Sequence, residues 1–341
     1  MMEKLRIVKA NDGVSDWMLI DGDIIMFFDK VEFENITTKL SKRRFCGNAF
    51  TVSHRRIQGT LGSYTMKALN LTNDQYRAKT GIANSDLQMI ERSAADYKWS
   101  QEAPRDPSKV GAFDYGTALH LALLEPEKFN SEVVVYSKTK TRTTKDFIEF
   151  EANTDGLILL ESEYDKLKFT VDGAKYHPTV NRLLTIKSDK ECSIFVDDAE
   201  YNIARKIRPD LDYIDHGLPM LGDVKTTEKI SDWRESAQWK NPLFTHGYGH
   251  TAAYYMDTAS IHHGFQINNY TFIVIQKHVE MGRYPVAAIN ISRAECEALG
   301  FFDQIHANLH KYAKCLHSNN WDEVERFECL AGSDEITIED A

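Results

Sequence analysis

The order of apolar and polar positions divides the chain into an N-terminal part rich in strand patterns and a longer part that mixes helical and strand patterns. Residues 17–20 and 23–28 are apolar runs that meet at Asp21-Gly22, a dipeptide typical of a tight hairpin turn. We therefore predict a β-rich extension over residues 1–75, whose role the pattern does not indicate. The main domain is predicted over residues 76–330, followed by an acidic tail at residues 331–341.

Helical spacing begins near residue 84. Leu87 and Ile90 lie on one helical face, and Ser85 with Gln88 has the spacing of a capping box, so a helix is predicted from Ser85. A second, apolar helix is predicted over residues 116–124, and it ends there because a residue before proline disfavours the helical conformation. Further helices are predicted over residues 156–168, around Trp233, and over residues 248–259 and 295–316.

Short apolar runs with turn residues between them predict strands in the second half of the chain. These runs cover residues 192–196, 201–207, 211–214, 220–225, 270–275 and 285–291. Because helical and strand patterns are interspersed along the main domain, we expect an α/β fold.

The composition is that of a soluble globular protein. Of the 341 residues, 42% are hydrophobic and 27% are charged, which excludes disordered and collagen-like classes. No apolar run approaches the roughly 18 residues that a membrane span needs, so we expect no membrane partner and a cytoplasmic location. The formal charge of −10 argues against indiscriminate coating of nucleic acid, but it permits a locally basic groove.

One segment could supply such a groove. Residues 137–145 are rich in threonine and lysine and have no hydrophobic period, which predicts a mobile basic loop. Contact with DNA phosphates and a merely solvated surface loop both remain open for it. The candidate DNA-binding cations are Lys138, Lys140, Arg142 and Lys145.

The strongest chemical pattern lies in the region of predicted strands. If the strands around Asp210 and Asp223 form a hairpin that turns at residues 216–217, the two aspartates face each other. Facing carboxylates destabilise a sheet unless a cation lies between them, and Mg²⁺ is the obvious candidate. Lys225 lies on the same face as Asp223. A carboxylate-bound metal beside an ammonium suits phosphodiester hydrolysis, while a surface hairpin with alternating charges is the alternative.

This pattern is similar to the PD-(D/E)XK nuclease core, and the chain resembles the exodeoxyribonuclease VIII family of phage-type recombination nucleases over about residues 83–277. Four segments carry the resemblance: Asn84-Ser85-Asp86-Leu87; Gly116-Thr117-Ala118-Leu119-His120 with Leu124-Glu125-Pro126; Arg208-Pro209-Asp210; and Gly222-Asp223-Val224-Lys225-Thr226-Thr227. Their order and joint occurrence are much more specific than any one of them.

The resemblance implies a restriction-endonuclease-like core with a mixed central sheet flanked by helices. It also implies a Mg²⁺-dependent DNA exonuclease, with Mn²⁺ as a substitute, that resects one strand 5′ to 3′ from linear duplex ends and leaves single-stranded tails for recombination. The implied partners are linear duplex DNA ends, a single-strand annealing recombinase and further copies of this chain in a homo-oligomer.

The family's site residues map onto this sequence position by position. The resemblance makes His120, Asp210 and Asp223 metal ligands, Lys225 the catalytic lysine, and Glu191 a member of the catalytic set with both aspartates. His250, a supporting residue with Tyr254, stands where the family has glutamine four residues before tyrosine. Without the resemblance, His120 would be a lone histidine in an apolar helix, which is more typical of a core residue.

Two other functions remain open. An iron–sulfur nuclease of the helicase-associated or CRISPR adaptation type would need four clustered cysteines, and the five cysteines here lack that spacing and contain no C-x-x-C pair. A catalytically inactive DNA-binding module of the same fold is favoured by His250 and by the acidic net charge. The intact set of Asp210, Asp223 and Lys225 opposes it.

Overall fold

The computed structural model describes residues 6–9, 17–21, 24–28, 65–103 and 115–321. Contacts divide the chain into two compact units, Met1–Gly62 and Ser63–Ala341. The predicted acidic tail and most of the predicted extension lie outside the described residues.

The described strands are β1 (Arg6–Lys9), β2 (Trp17–Asp21), β3 (Ile24–Phe28), β4 (Thr65–Ala68), β5 (Val133–Tyr136), β6 (Leu157–Leu160), β7 (Asp189–Lys190), β8 (Ser193–Asp198), β9 (Ile203–Ile207), β10 (Leu211–Asp212), β11 (Met220–Thr227), β12 (Asn269–Gln276) and β13 (Val286–Ser292). The described α-helices are α1 (Asn73–Ala78), α2 (Asn84–Arg92), α3 (Ala94–Glu102), α4 (Tyr115–Leu124), α5 (Pro126–Glu132), α6 (Lys145–Ala152), α7 (Glu161–Tyr176), α8 (Pro178–Thr185), α9 (Pro242–Thr245), α10 (Tyr248–His263), α11 (Arg293–Ala298) and α12 (Phe301–Ser318).

The first unit contains an antiparallel sheet of three strands in the order β1-β2-β3, with Asp21 opposite Ile24. The second unit has a five-stranded sheet in the order β13-β12-β11-β10-β7, in which β11 and β12 run parallel and the other pairs antiparallel. A second sheet has the order β4-β8-β9, and β5 pairs parallel with β6. The structure is therefore of the α/β class with mixed sheets, as predicted.

The second unit begins upstream of the boundary that we predicted near residue 75, because β4 pairs with β8. Lys67 of β4 also links the sheet β4-β8-β9 to the five-stranded central sheet and the turn that follows β10. Its Nζ lies 2.7 Å from a carboxylate oxygen of each of Asp189, Asp212 and Asp215. Because Lys67 and Asp212 are both largely buried, the ion pair between them is weakly screened by solvent.

The hairpin that joins β10 and β11 has the predicted register. Leu211 lies opposite Gly222 and Asp212 opposite Leu221, so the same register sets Asp210 opposite Asp223. The chain turns through a 3₁₀ helix at Ile214–His216 and then Gly217, whose φ of +89° is a left-handed conformation that glycine adopts without strain.

Alternate residues of the central strands enter two apolar clusters, one on each face of the sheet. Leu221 and Phe272 pack with residues of α2, α10 and α12, whereas Val224 and Ile273 pack with residues of α4, α7 and α8. Asp223 follows Leu221 by two positions in β11, so it belongs to the first face. Asp223 therefore lies on a strand, β11, that is covered by helices on both faces of the sheet.

Three predicted helices differ from the structure. Residues 157–160 form β6 before α7 begins, because this apolar run pairs with β5 instead of continuing a helix. The helix predicted over residues 295–316 is two helices, α11 and α12, separated at Gly300, whose φ is +78°. The capping box predicted at Ser85 is wrong: α2 begins one residue earlier, and Asp86 accepts a 2.8 Å hydrogen bond from the N–H of Ala83.

The remaining predicted elements are present with shifted ends. The helix predicted over residues 116–124 is α4, and Trp233 lies in a 3₁₀ helix at Ile230–Arg234. Within the part of the chain that the structure describes, no helix is long and apolar enough to cross a membrane.

Candidate metal and catalytic site

His120 is held in one tautomer by the backbone of β11. Its Nε2 lies 2.7 Å from the carbonyl oxygen of Val224. A carbonyl oxygen only accepts hydrogen bonds, so Nε2 carries a proton and the neutral ring presents the lone pair of Nδ1 on its other side. That Nδ1 lies 3.5 Å from Oδ2 of Asp210 and 4.0 Å from Oε1 of Glu191. The histidine therefore directs a ligand atom towards two carboxylates.

Asp210 occupies the point where β10 stops covering β11. The ladder between these strands reaches only Gly222, and Oδ2 of Asp210 accepts a 2.6 Å hydrogen bond from the N–H of Val224. Both backbone groups of Val224 are thus satisfied by side chains of the site rather than by a strand. The short length of β10 creates the opening that His120 and Asp210 fill.

Glu191 enters the same opening from the junction between β7 and β8. Its φ is +50°, a left-handed conformation that is unusual for a residue with a side chain, and its N–H donates to the carbonyl oxygen of Asp210 at 3.1 Å. Strained backbone of this kind often occurs at functional sites. Here it is the place where the chain leaves the central sheet for the second one.

His120, Glu191 and Asp210 together form a candidate metal site. Each offers one ligand atom, and the three atoms all lie within 4.8 Å of one another. No other group of this kind was found among the described residues. One imidazole nitrogen and two carboxylate oxygens, with the tautomer fixed by a backbone carbonyl, fit a divalent cation. Carboxylates suit Mg²⁺ and Mn²⁺ alike, whereas the nitrogen favours Mn²⁺.

Asp223 and Lys225 lie beside these three residues. Nζ of Lys225 is 2.6 Å from Oδ2 of Asp223, and it also lies 5.4 Å from the centre of the Tyr248 ring. Both side chains are mostly buried, so this ion pair is weakly screened by solvent. The ion pair places the ammonium group of Lys225 next to the carboxylate of Asp223, beside the candidate metal site.

The pKa values of the two facing aspartates are shifted in opposite directions. Burial and the charge of Asp223 raise the pKa of Asp210 well above its usual value. Burial acts in the same direction on Asp223, but the Lys225 ammonium holds the pKa of that carboxyl below its usual value. The Lys225 ammonium beside one carboxyl and the opposing aspartate beside the other thus move the two pKa values apart.

The pKa values of the two basic groups are raised. Burial opposes protonation of His120, but the negative charge of Asp210 and the carboxylate of Glu191 raise its pKa to about 9. Burial also opposes the charge of Lys225, and Asp223 and Asp210 outweigh it and raise the pKa of the ammonium. A divalent cation at this site would therefore compete with a proton for His120.

The two supporting residues predicted on α10 have other partners. Tyr254 is completely buried, donates a 2.6 Å hydrogen bond to the carbonyl oxygen of Ile82, and lies under the guanidinium of Arg205. His250 packs edge-on against Phe301, with ring centres 5.0 Å apart, and burial lowers its pKa. The described contacts bring neither residue to His120, Glu191 or Asp210, so a catalytic role for them stays a prediction.

Residues 137–144 form the predicted loop, but one of the four candidate DNA-binding cations, Arg142, is bound to other residues of the protein. Arg142 forms a 2.6 Å ion pair with Glu163 and donates to the carbonyl oxygen of Ile158 at 2.8 Å. Lys138, Lys140 and Lys145 are exposed, and Lys145 is the first residue of α6.

Sequence reasoning did not place Arg208 or Tyr248 in the site, although both contact it. Arg208 bonds to Glu191, and Tyr248 lies against Lys225. Arg208 stands immediately before Pro209-Asp210, which is the signal that could have drawn attention to it. The contact of Tyr248 joins the first residue of α10 to β11 and leaves no local pattern in the sequence.

A scan against protein-family models and a search of curated proteins found no match to this chain.

Proposed function

We propose that the protein is a Mg²⁺-dependent DNA exonuclease of the PD-(D/E)XK superfamily, which resects one strand 5′ to 3′ from linear duplex ends and leaves single-stranded tails for recombination. The observation that carries the proposal is the register of β10 and β11, which sets Asp210 opposite Asp223. Lys225 follows Asp223 by two positions and contacts it, and His120 faces Asp210.

Phosphodiester hydrolysis needs what these residues can supply. The oxygen of a water molecule attacks phosphorus, the bond to the leaving oxygen breaks, and negative charge grows on the phosphoryl oxygens during the step. A divalent cation, when bound, lowers the pKa of a coordinated water and offsets that charge. His120, Glu191 and Asp210 would hold the cation, with Asp223 beside them as a further carboxylate.

Lys225 supplies the positive charge that the protein itself contributes. Its raised pKa keeps the side chain protonated at neutral pH, since Asp223 and Asp210 together outweigh the effect of burial. An ammonium in this position can donate hydrogen bonds to a phosphoryl oxygen or orient the attacking water. Asp223 keeps Lys225 in place through the 2.6 Å ion pair.

The fold supports this assignment. The central sheet is mixed and is covered by helices on both faces, with Asp223 on β11 and Asp210 immediately before β10. The resemblance to the PD-(D/E)XK core implies a mixed central sheet flanked by helices. The proposal also includes a partner recombinase, a homo-oligomeric state and a cytoplasmic location, which the family resemblance and the composition of the chain imply together with the polarity of resection.

The iron–sulfur alternative gains no support from the described cysteines. Cys192 and Cys296 are fully buried in an apolar cluster, and burial raises the pKa of both thiols. The Cys192 thiol also donates to Asp212. Reduced, inert thiols are what this environment favours.

Digestion of end-labelled linear duplex tests the proposal. The substrate is labelled at the 5′ end in one preparation and at the 3′ end in another, and each is incubated with Mg²⁺ or with EDTA beside a covalently closed circle of the same sequence. We expect loss of the 5′ label from linear DNA in Mg²⁺ alone and no cleavage of the circle. Tight binding of DNA without cleavage would instead identify the inactive DNA-binding module.

A further inference from the structure

Arg208 contacts the candidate metal site through Glu191 and through no other of its residues. Its Nε lies 3.1 Å from Oε2 of Glu191, while Oε1 of the same carboxylate is the atom that faces His120 at 4.0 Å. The two oxygens of Glu191 therefore have different environments. Oε2 accepts a hydrogen bond from the guanidinium of Arg208, whereas Oε1 faces His120.

Arg208 is itself fixed by groups outside the site. Its Nη2 donates to the carbonyl oxygen of Leu71 at 2.8 Å, and its guanidinium lies 5.7 Å from the centre of the Tyr76 ring. Only 12% of its side chain is exposed. A planar guanidinium with two bonded nitrogens and an aromatic face beneath it can change its orientation only by breaking several contacts.

We infer that Arg208 is a positioning residue that orients Glu191, so that Oε1 alone is presented to the metal. This inference rests on the proposed function, because it assigns a role within the same metal site. It goes beyond that function by naming a residue that touches neither metal nor substrate.

The local backbone explains why such a residue is needed. Glu191 lies between two sheets in a left-handed conformation, and its N–H bond to Asp210 fixes the main chain but not the carboxylate. A free glutamate could rotate and bind a cation through both oxygens. Hydrogen bonds from neighbouring residues to metal ligands hold those ligands in one orientation. Loss of such a bond typically weakens metal affinity by about 10- to 100-fold.

The ion pair between Arg208 and Glu191 could instead be purely structural, linking Leu71 to the junction of β7 and β8. The two roles predict different effects of Arg208→Lys, which keeps the positive charge but cannot reproduce the paired bonds of a guanidinium. A structural pair predicts lower stability with unchanged metal affinity. A positioning residue predicts weaker metal binding in protein that is still folded.

Arg293 provides a matched control. Its side chain is 11% exposed, donates to the carbonyl oxygen of Ile267 at 3.1 Å, and lies 4.3 Å from the centre of the Phe302 ring, with Asp257 as the nearby carboxylate. It therefore resembles Arg208 in burial and in type of contact, but none of these contacts involves a residue of the candidate metal site. Arg293→Lys measures the general cost of replacing a buried arginine.

The test is the dissociation constant for Mn²⁺, measured by electron paramagnetic resonance of the free ion with the full-length chain and no DNA. We expect Arg208→Lys to raise that constant about 10- to 100-fold, and Arg293→Lys to leave it unchanged. In a Glu191→Gln background, Arg208→Lys should have no further effect, because Arg208 acts through the carboxylate that is gone. Urea unfolding in EDTA, run in parallel, shows that each variant is folded.

Unchanged Mn²⁺ affinity in folded Arg208→Lys would overturn the inference and leave the proposed function standing. Absence of Mn²⁺ binding by the wild-type chain would overturn both. If Arg208→Lys does not fold, Tyr76→Leu removes the ring beneath the guanidinium and keeps the ion pair. Tyr76→Leu should also raise the dissociation constant for Mn²⁺, but by a smaller factor than is expected for Arg208→Lys. An unchanged constant in Tyr76→Leu would equally reject the positioning role.

Discussion

The N–H of Val224 donates a 2.6 Å hydrogen bond to Oδ2 of Asp210, across the gap that the short strand β10 leaves beside β11. The carbonyl of the same residue accepts from His120 at 2.7 Å. One peptide segment between Asp223 and Lys225 therefore aligns a carboxylate and an imidazole with the two residues that flank it. The pairing register of β10 and β11 therefore determines where Asp210 and His120 lie relative to Asp223 and Lys225.

Asp210→Asn tests the carboxylate at this position. The change deletes one negative charge but keeps an oxygen that can bind a cation, so we expect metal affinity to fall by at least about 10-fold. Cleavage should return when Mg²⁺ is raised or Mn²⁺ is supplied. A titration of activity against each metal checks this, and a defect that no metal concentration relieves would argue against a ligand role for Asp210.

The raised pKa of His120 predicts a pH dependence of the metal-free protein. Since the pKa rises from its usual value of about 6.5 to about 9 on folding, protonated His120 stabilises the folded state fully below pH 6.5. That contribution is lost as the pH rises through 9. Urea unfolding in EDTA across this range, with His120→Gln as the control, should show the loss in the wild type alone.

Metal affinity should change in the opposite direction. A cation competes with the proton on His120, so binding should tighten as the pH rises towards 9. Calorimetry in buffers of different ionisation enthalpy measures the protons released. An imidazole that titrates at or below pH 6.5 in EDTA, observed by NMR, would be inconsistent with this account of the site.

Two truncations test where the second unit begins. A chain that lacks residues 1–62 should fold and bind metal normally, because Ser63–Ala341 forms its own compact unit. A chain that starts at Thr80 also loses Lys67, and Asp189, Asp212 and Asp215 lose their shared cation. We expect a loss of about 3–5 kcal/mol in the free energy of unfolding. Equal stability of the two truncations would contradict this role of β4.

The basic loop is tested by replacing Lys138, Lys140 and Lys145 with glutamine while Arg142 keeps its ion pair with Glu163. If the loop contacts DNA, the slope of log affinity against log salt should decrease by about 0.9 for each lysine that neutralises a phosphate. Fluorescence anisotropy at several salt concentrations measures the slope, with Asp223→Ala added so that the DNA stays intact. An identical slope would mean that the loop is only a solvated surface segment.

The hairpin and its facing aspartates could be predicted because turn chemistry and strand period are local properties. The sum of paired positions is constant along an antiparallel ladder, so a turn at residues 216–217 sets Asp210 opposite Asp223. The helix that carries His120 was equally predictable from its apolar run and the proline that follows it.

What the sequence did not reveal depends on contacts between distant segments. Residues 157–160 were predicted as part of a helix, but they form strand β6 because they pair in parallel with β5. The ion pair between Arg208 and Glu191, and the core location of Tyr254, likewise depend on how separate elements pack. A break at Gly300 was visible as a glycine, but the apolar period on either side of it favoured one continuous helix.

The central claim is that Asp223 and Lys225 act in metal-dependent hydrolysis of DNA, and cleavage of end-labelled linear duplex under single-turnover conditions tests it most directly. Lys225→Ala should lower the rate by at least about 100- to 1,000-fold, because the protein loses a preorganised donor to the reacting phosphate, and Asp223→Ala should abolish cleavage. Both variants should unfold in urea as cooperatively as the wild type. Wild-type rates in either folded variant, or wild-type cleavage that persists in EDTA, would contradict the account.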